Sequence, residues 1–340
     1  MNEAIHLVGT LTTQDRWVGL VIWYLFLGGL GAALVAISVF AHRYARASTP
    51  LTLWGVLSGE AALAVGSLLL LFHLLDPLHV WRILLPWNVF VNPTAWITWG
   101  TQFLIWAMVF GVLYIWPMLW KAQGLRRIPV LNWWFGIGWV RWSAEICERF
   151  ATLLAWLSIL MSIAVAVYTG LLLRSFPAVA LWHNPVIPLL FTVSALSTGL
   201  AYLLLVQYAV LREHGPLARA YERFDVLLIA VEMALIGYLL YAVLPGSESG
   251  RASYALLMDN MGWVVGFLLF GLLVPLLLEI KGSLRAWNSP VPVMAAAVLV
   301  LVGGYLLRHY FLNAGVYYFP WANAHHLGVL GSDVIAHVIH

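Results

Sequence analysis

Residues 168–199 read YTGLLLRSFPAVALWHNPVIPLLFTVSALSTG. Two apolar runs meet here across a short connection that holds Arg174, Trp182, His183, Asn184 and two prolines, with a third, Pro188, just inside the second run. Tyr168 sits about one and a half turns inside the first run. Followed outward, Phe150–Leu173 and Val186–Leu211 carry no Asp, Glu, Lys or Arg, and each has the roughly 20 apolar residues that a helix needs to cross a hydrocarbon layer. The chain therefore turns back at a membrane surface, with a polar cluster at the turn.

The composition gives the same class. Of 340 residues, 63% are hydrophobic and 9% charged, and mean hydropathy is +0.91, too few polar side chains to cover a water-soluble globule. The net charge of +3 reflects loops held on one side of a membrane rather than an anionic partner, so a nucleic-acid binder is excluded. The single cysteine, Cys147, excludes an internal disulfide and an iron–sulfur cluster bound within this chain, which needs about four thiolates. The opening MNEAIHLVGTLTTQDRW carries acids rather than a basic stretch, and the expectation is an uncleaved first anchor.

Eight segments have spanning length: about 17–40, 53–75, 95–120, 150–173, 186–211, 226–244, 262–280 and 291–307. The fold class expected is an all-α integral membrane protein of eight transmembrane helices (residues 1–309) in two four-helix bundles, with residues 310–340 as a tail. The aromatic stretch 129–140, PVLNWWFGIGWV, is too short to span, and its tryptophans suit the headgroup layer.

Orientation follows from Lys and Arg. The odd-numbered loops hold 12 of the 17: Arg43, Arg46, Lys121, Arg126, Arg127, Arg141, Arg149, Arg212, Arg219, Arg223, Lys281 and Arg285. The even-numbered loops and the termini hold the other five: Arg16, Arg82, Arg174, Arg251 and Arg308. The bias predicts odd-numbered loops inside and both termini on the outer, periplasmic side of a bacterial or archaeal cytoplasmic membrane.

Several polar groups stand out against this apolar background. His73 and Asp76, three apart at the outer end of the second helix, share a helical face until Pro77 ends it. A carboxylate beside an imidazole fixes its tautomer and suits it to accept a proton from a quinol hydroxyl. The bland alternative is an interfacial cap. Tyr168 fits either a membrane anchor or a phenol that hydrogen-bonds a carbonyl, with Gly170 allowing close approach on the same helix. Glu60 and Glu232 lie about two turns inside the second and sixth spans, where an ionisable group is a functional hypothesis or is held as packing glue. As functional groups they begin a proton route from the cytoplasmic side. The 11 histidines sit in loops, tails or helix ends, which predicts no haem because axial ligands lie well inside spans. No metal site is expected. Gly28, Gly29 and Gly31 fall within an apolar span and read as helix-packing residues, since no phosphate reaches that depth.

Together, WYLFLGGLG (23–31), HLLDPLHVWRI (73–83), NPTAWITWG (92–100) and residues 168–199 resemble the NrfD/PsrC family of membrane subunits, best known from polysulfide reductase. The resemblance covers all eight spans in order. It implies a haem-free subunit that binds menaquinone or ubiquinone, docked to a periplasmic four-cluster, ferredoxin-like iron–sulfur subunit and a molybdopterin catalytic subunit. Carried across, Tyr168 matches the tyrosine that binds the quinone head group. Tyr24 falls where some members have a histidine, and His73, Asp76 and Arg82 fall at the polar end of the second helix that lines the site. Arg174, His183 and Asn184 are expected at the rim or at the docking surface. Two other readings stay open: an ion-coupled transporter using Glu60 and Glu232, and a structural anchor without an active quinone site.

Overall fold

The computed structural model describes residues 15–73, 85, 87–91, 95–122, 124, 127–177, 179–213, 215–284 and 289–316. All its elements are helical. We label them α1 (Asp15–Tyr44), α2 (Thr49–His73), α3 (Trp96–Lys121), α4 (Pro129–Gly136), α5 (Gly138–Arg149), α6 (Ala151–Arg174), α7 (Val186–Leu205), α8 (Pro216–Tyr238), α9 (Glu248–Met258), α10 (Val274–Leu284) and α11 (Val291–Asn313). Wider, π-helical turns extend α7 over Val206–Leu211 and α8 over Leu239–Val243, and Gly262–Leu273 leads into α10. Among the described residues, eight of these helical stretches are long and apolar enough to span a membrane.

The helix contacts form two circuits. In the first, α1 packs on α2, α2 on α3, α3 on α6 and α6 on α1; in the second, α7 packs on α8, α8 on α10, α10 on α11 and α11 on α7. Contacts of α1 and α6 with α7, and of α1 with α11, join them. The two seam helices are the most enclosed: 72% of the apolar window in each of the first and fifth spans is buried, against 28–44% elsewhere. Both carry small residues, Gly28, Gly29, Gly31, Ala32 and Ala33 on α1 and Ala195, Gly199 and Ala201 on α7, which let neighbouring helices close in on several sides.

Small residues set the close crossings. A β-carbon at Gly31 would lie 2.9 Å from Leu63 Cγ and would also press on the Gly59 carbonyl, and one at Gly59 would lie 2.8 Å from the Gly31 carbonyl, so α1 and α2 touch backbone to backbone. Gly199 on α7 packs against Ala33 on α1, and Gly271 meets Gly303 on α11. Between membrane helices, where lipid tails are as apolar as leucine, such contact supplies the packing that burial cannot.

Two boundaries differ from the expectation. The sixth span begins at Pro216, ten residues earlier, so Glu222 and Asp225 lie inside it, 4% and 0% exposed. The last helix runs on to Asn313 and holds Arg308 at 0% exposure, although that arginine reads as a tail residue. Polar side chains end a hydropathy window, but a helix continues through them when a neighbouring helix supplies their partners. The aromatic stretch after α3 forms α4 and α5, broken at Ile137, whose backbone is extended. Trp116 Nε1 donates to Ser143 Oγ at 3.0 Å and Trp120 Nε1 to the Phe135 carbonyl at 3.1 Å, which holds both short helices against α3.

Candidate functional site

Tyr168 is six residues from the end of α6 and 2% exposed. Its phenol faces α3 at Gly100, where a β-carbon would overlap the ring. Its hydroxyl shares a side-chain hydrogen bond with Tyr24 of α1, itself 3% exposed. On the next turn of α1, Gly28 meets Thr169, and Gly170 meets the backbone of Pro188 on α7. Three glycines thus draw four helices around one phenol pair. Two hydroxyls so joined leave one proton free to donate and lone pairs free to accept, which fits a carbonyl or hydroxyl oxygen of a substrate.

Glu60 lies in the middle of α2 and is 8% exposed. It packs over Gly111 of α3, where a β-carbon would meet its Oε1. Neither carboxyl oxygen has a hydrogen-bond partner among the described residues. Gly111 and Gly100 are 11 residues apart on α3, so Glu60 sits roughly 16 Å of helix from Tyr168. Ser158 and Ser162 of α6 are also buried at 0% with unpartnered hydroxyls. On the far side of Glu60, His42 Nδ1 and the Tyr114 hydroxyl are 2.8 Å apart.

Glu232 belongs to a different polar set. It lines a cleft in the second circuit with Ser194, Ser197, Thr198 and Gly304, too narrow for a water-sized sphere. It faces Arg308 and the Ser194 hydroxyl. Arg308 Nη1 donates to the Gly304 carbonyl at 2.6 Å and to Ser194 Oγ at 3.1 Å, and Nη2 to the Phe191 carbonyl at 3.3 Å. The guanidinium also lies 5.3 Å from the Phe191 ring centre and 5.8 Å from that of Phe26. Glu60 and Glu232 are therefore not neighbours on one path: the seam helices α1 and α7 stand between their circuits.

At the turn, Arg174 and His183 are exposed, and His183 Nδ1 is 2.7 Å from the Arg174 carbonyl. Asn184 is buried at 7%, and its carboxamide oxygen accepts from the Val186 N–H at 2.9 Å, which fixes the start of α7. His73 closes α2, but its side chain, and Asp76 and Arg82 entirely, lie outside the described residues. Among the described residues no three of His, Cys, Asp and Glu gather as metal ligands.

Sequence reasoning missed Glu222, Asp225, Glu279 and Arg308. The signal was available: 222, 225 and 232 lie three and seven apart, a helical stripe that hydropathy averaging hides.

A family model described as polysulphide reductase, NrfD, matches residues 11–320. The protein is 26% identical over 309 residues to Protein NrfD of Escherichia coli (strain K12), covering 86% of its own length and 92% of that relative. It is 28% identical over 307 residues to the C subunit of polysulfide reductase from Wolinella succinogenes, again over 86% and 92%.

Proposed function

Because the chain belongs to the polysulphide reductase NrfD family, we propose that it is the membrane subunit through which a respiratory oxidoreductase meets a membrane quinone. The family supports a membrane anchor in a redox complex; the Tyr24–Tyr168 pair over Gly100 is the observation that carries the step to a quinone site. In this reading each contact circuit is a four-helix bundle and the quinone site lies at the outer end of the first. Both termini and the partner subunits are on the outer face of a bacterial or archaeal cytoplasmic membrane.

The quinol substrate, menaquinol or ubiquinol, supplies two electrons and two protons. The Tyr168 hydroxyl holds one oxygen of the head group, and Tyr24 holds that hydroxyl in turn. Electrons pass to an iron–sulfur subunit docked near Arg174 and His183, and on to a molybdopterin subunit. His73, Asp76 and Arg82 complete the polar end of α2 in this reading, and Glu60 serves proton exchange with the cytoplasmic side. Bringing a reacting oxygen to a fixed phenol in an apolar, water-poor site is worth more than the same hydrogen bond in water.

The test is quinol-driven reduction of the partner subunit in membranes carrying Tyr168→Phe or His73→Ala. A hydrogen bond worth about 1 kcal/mol predicts roughly a fivefold loss of affinity from the phenol alone, and more in turnover if the hydroxyl also moves a proton. Normal activity in both variants would exclude the site.

A further inference from the structure

Among the described residues, four carboxyl side chains are buried in the second circuit: Glu222, Asp225 and Glu232 on α8, and Glu279 on α10. Their surroundings differ. Glu232 faces the guanidinium of Arg308. Glu222 accepts from the Tyr208 hydroxyl at 2.8 Å and feels the charge of Arg219. Asp225 and Glu279, 0% and 3% exposed, lie against each other, with the Ser197 hydroxyl of α7 beside Asp225 and Glu222 and Glu232 as the other charges in reach. No buried cation faces this pair among the described residues. None of its four carboxyl oxygens makes a hydrogen bond of good geometry, and Ser197, 1% exposed, has an equally unpartnered hydroxyl.

Two carboxylates cannot both stay ionised in such a place. Removing one unpaired ion from water costs several kcal/mol, and a second like charge in contact adds repulsion that a low-dielectric interior hardly screens. One proton on the pair removes the second charge and with it the repulsion, and the protonated carboxyl becomes a donor to the one carboxylate that remains.

We infer that Asp225 and Glu279, with Ser197 beside them, form a proton-binding site in the second circuit in which one proton is shared between two carboxyl groups. The proton passes between two oxygen atoms, and no electron changes place. Its surroundings tie the site to the rest of the molecule. Ser194 stands one turn from Ser197 on α7 and touches both Glu232 and Arg308. Arg308 reaches α1, where a β-carbon at Gly29 would lie 3.2 Å from Nη2. That is little more than a turn along α1 from Tyr24. The site does not rest on the quinone reading, because the proton is held whether or not the protein turns over.

Infrared spectroscopy of the full-length protein purified from membranes tests it without any quinol. At neutral pH the wild type is expected to show a protonated-carboxyl C=O band that shifts on exchange from H2O to D2O. The Asp225→Asn/Glu279→Gln double variant should lose that component in the difference spectrum. Asp225→Glu, which keeps both carboxyl groups, and Ser197→Ala should each move it in frequency, so the test stands even if the double variant fails to fold. A band unchanged in the double variant, or unmoved by both milder changes, overturns the site.

Discussion

The phenol end of Tyr168 on α6 occupies the volume that a β-carbon at Gly100 on α3 would take. Gly100→Ala therefore has to push the ring from its place beside Tyr24, because the atoms in the way belong to a rigid ring wedged between helices. Quinol-driven electron delivery should fall by about tenfold, equivalent to about 1.4 kcal/mol, with the protein still inserted. Gly136→Ala, at a position with nothing within 4 Å, should leave the rate unchanged. Equal rates in both variants would separate Tyr168 from the reaction.

Arg308 and Glu232 form the second relationship with an energetic consequence. Both are buried, and the guanidinium satisfies two backbone carbonyls and a serine besides facing the carboxylate. Arg308→Gln leaves Glu232 as an uncompensated buried charge, for which about 3–5 kcal/mol is expected. Thermal unfolding in detergent should show a clear drop in midpoint. Adding Glu232→Gln should recover part of it, since the stranded charge is then gone. A double variant no more stable than Arg308→Gln would assign the loss to the hydrogen bonds of Arg308 alone.

Much of the fold could be read from apolar runs of spanning length, because a bilayer forces every backbone group into a helix and the period of the signal is long. Tyr168 was conspicuous for the same reason: it breaks an apolar run beside a glycine. What escaped was anything that depends on a partner from another helix. Arg308 looked like a tail residue because two of its three acceptors, at positions 191 and 194, come from α7. Asp225 looked like a helix boundary because its company comes from Ser197 and Glu279. Likewise, Glu60 and Glu232 read as lying about two turns inside their spans, but α2 starts at Thr49 and α8 at Pro216, which puts them 11 and 16 residues in; nor was their separation by α1 and α7 legible, since depth along a helix says nothing about which neighbours surround it.

Gly271 and Gly303 bring the stretch leading into α10 onto α11, with a β-carbon at 303 only 2.6 Å from the Gly271 carbonyl. Gly303→Val should prise these helices apart and cost about 1–3 kcal/mol by overpacking. Gly266, where the nearest atom to an added β-carbon is Leu306 Cδ1 at 3.6 Å, should accept alanine with no loss. A pair of unfolding curves decides this: coincident midpoints would mean that the crossing adjusts freely.

Glu60 can be separated from mere packing by two substitutions. Its carboxyl has no hydrogen-bond partner to lose among the described residues, so Glu60→Leu should be neutral or stabilising, as it is when a buried charge gives way to an apolar side chain of similar volume. Glu60→Gln in proteoliposomes should reduce charge movement per electron more than it reduces turnover, because shape is kept while the titrating group is removed. Destabilisation by leucine together with unchanged charge movement in glutamine would reassign Glu60 to helix packing.

The orientation drawn from the 12-to-five distribution of Lys and Arg decides on which face any partner docks, and cysteine labelling measures it. Cys147, outside the spans, has its thiol pushed above the ordinary value by burial; its thiolate fraction at neutral pH is therefore low and it reacts slowly. Cys147→Ala gives a clean background. In intact cells, Ser175→Cys at the exposed end of α6 should react with a membrane-impermeant maleimide. Ala220→Cys, exposed at the start of α8, should react only after permeabilisation. Ser175 is seven residues from Tyr168, so the same experiment fixes which aqueous phase is nearer the phenol pair. The reverse labelling pattern would move the proposed quinone site to the inner leaflet and, with it, the docking face for an iron–sulfur subunit.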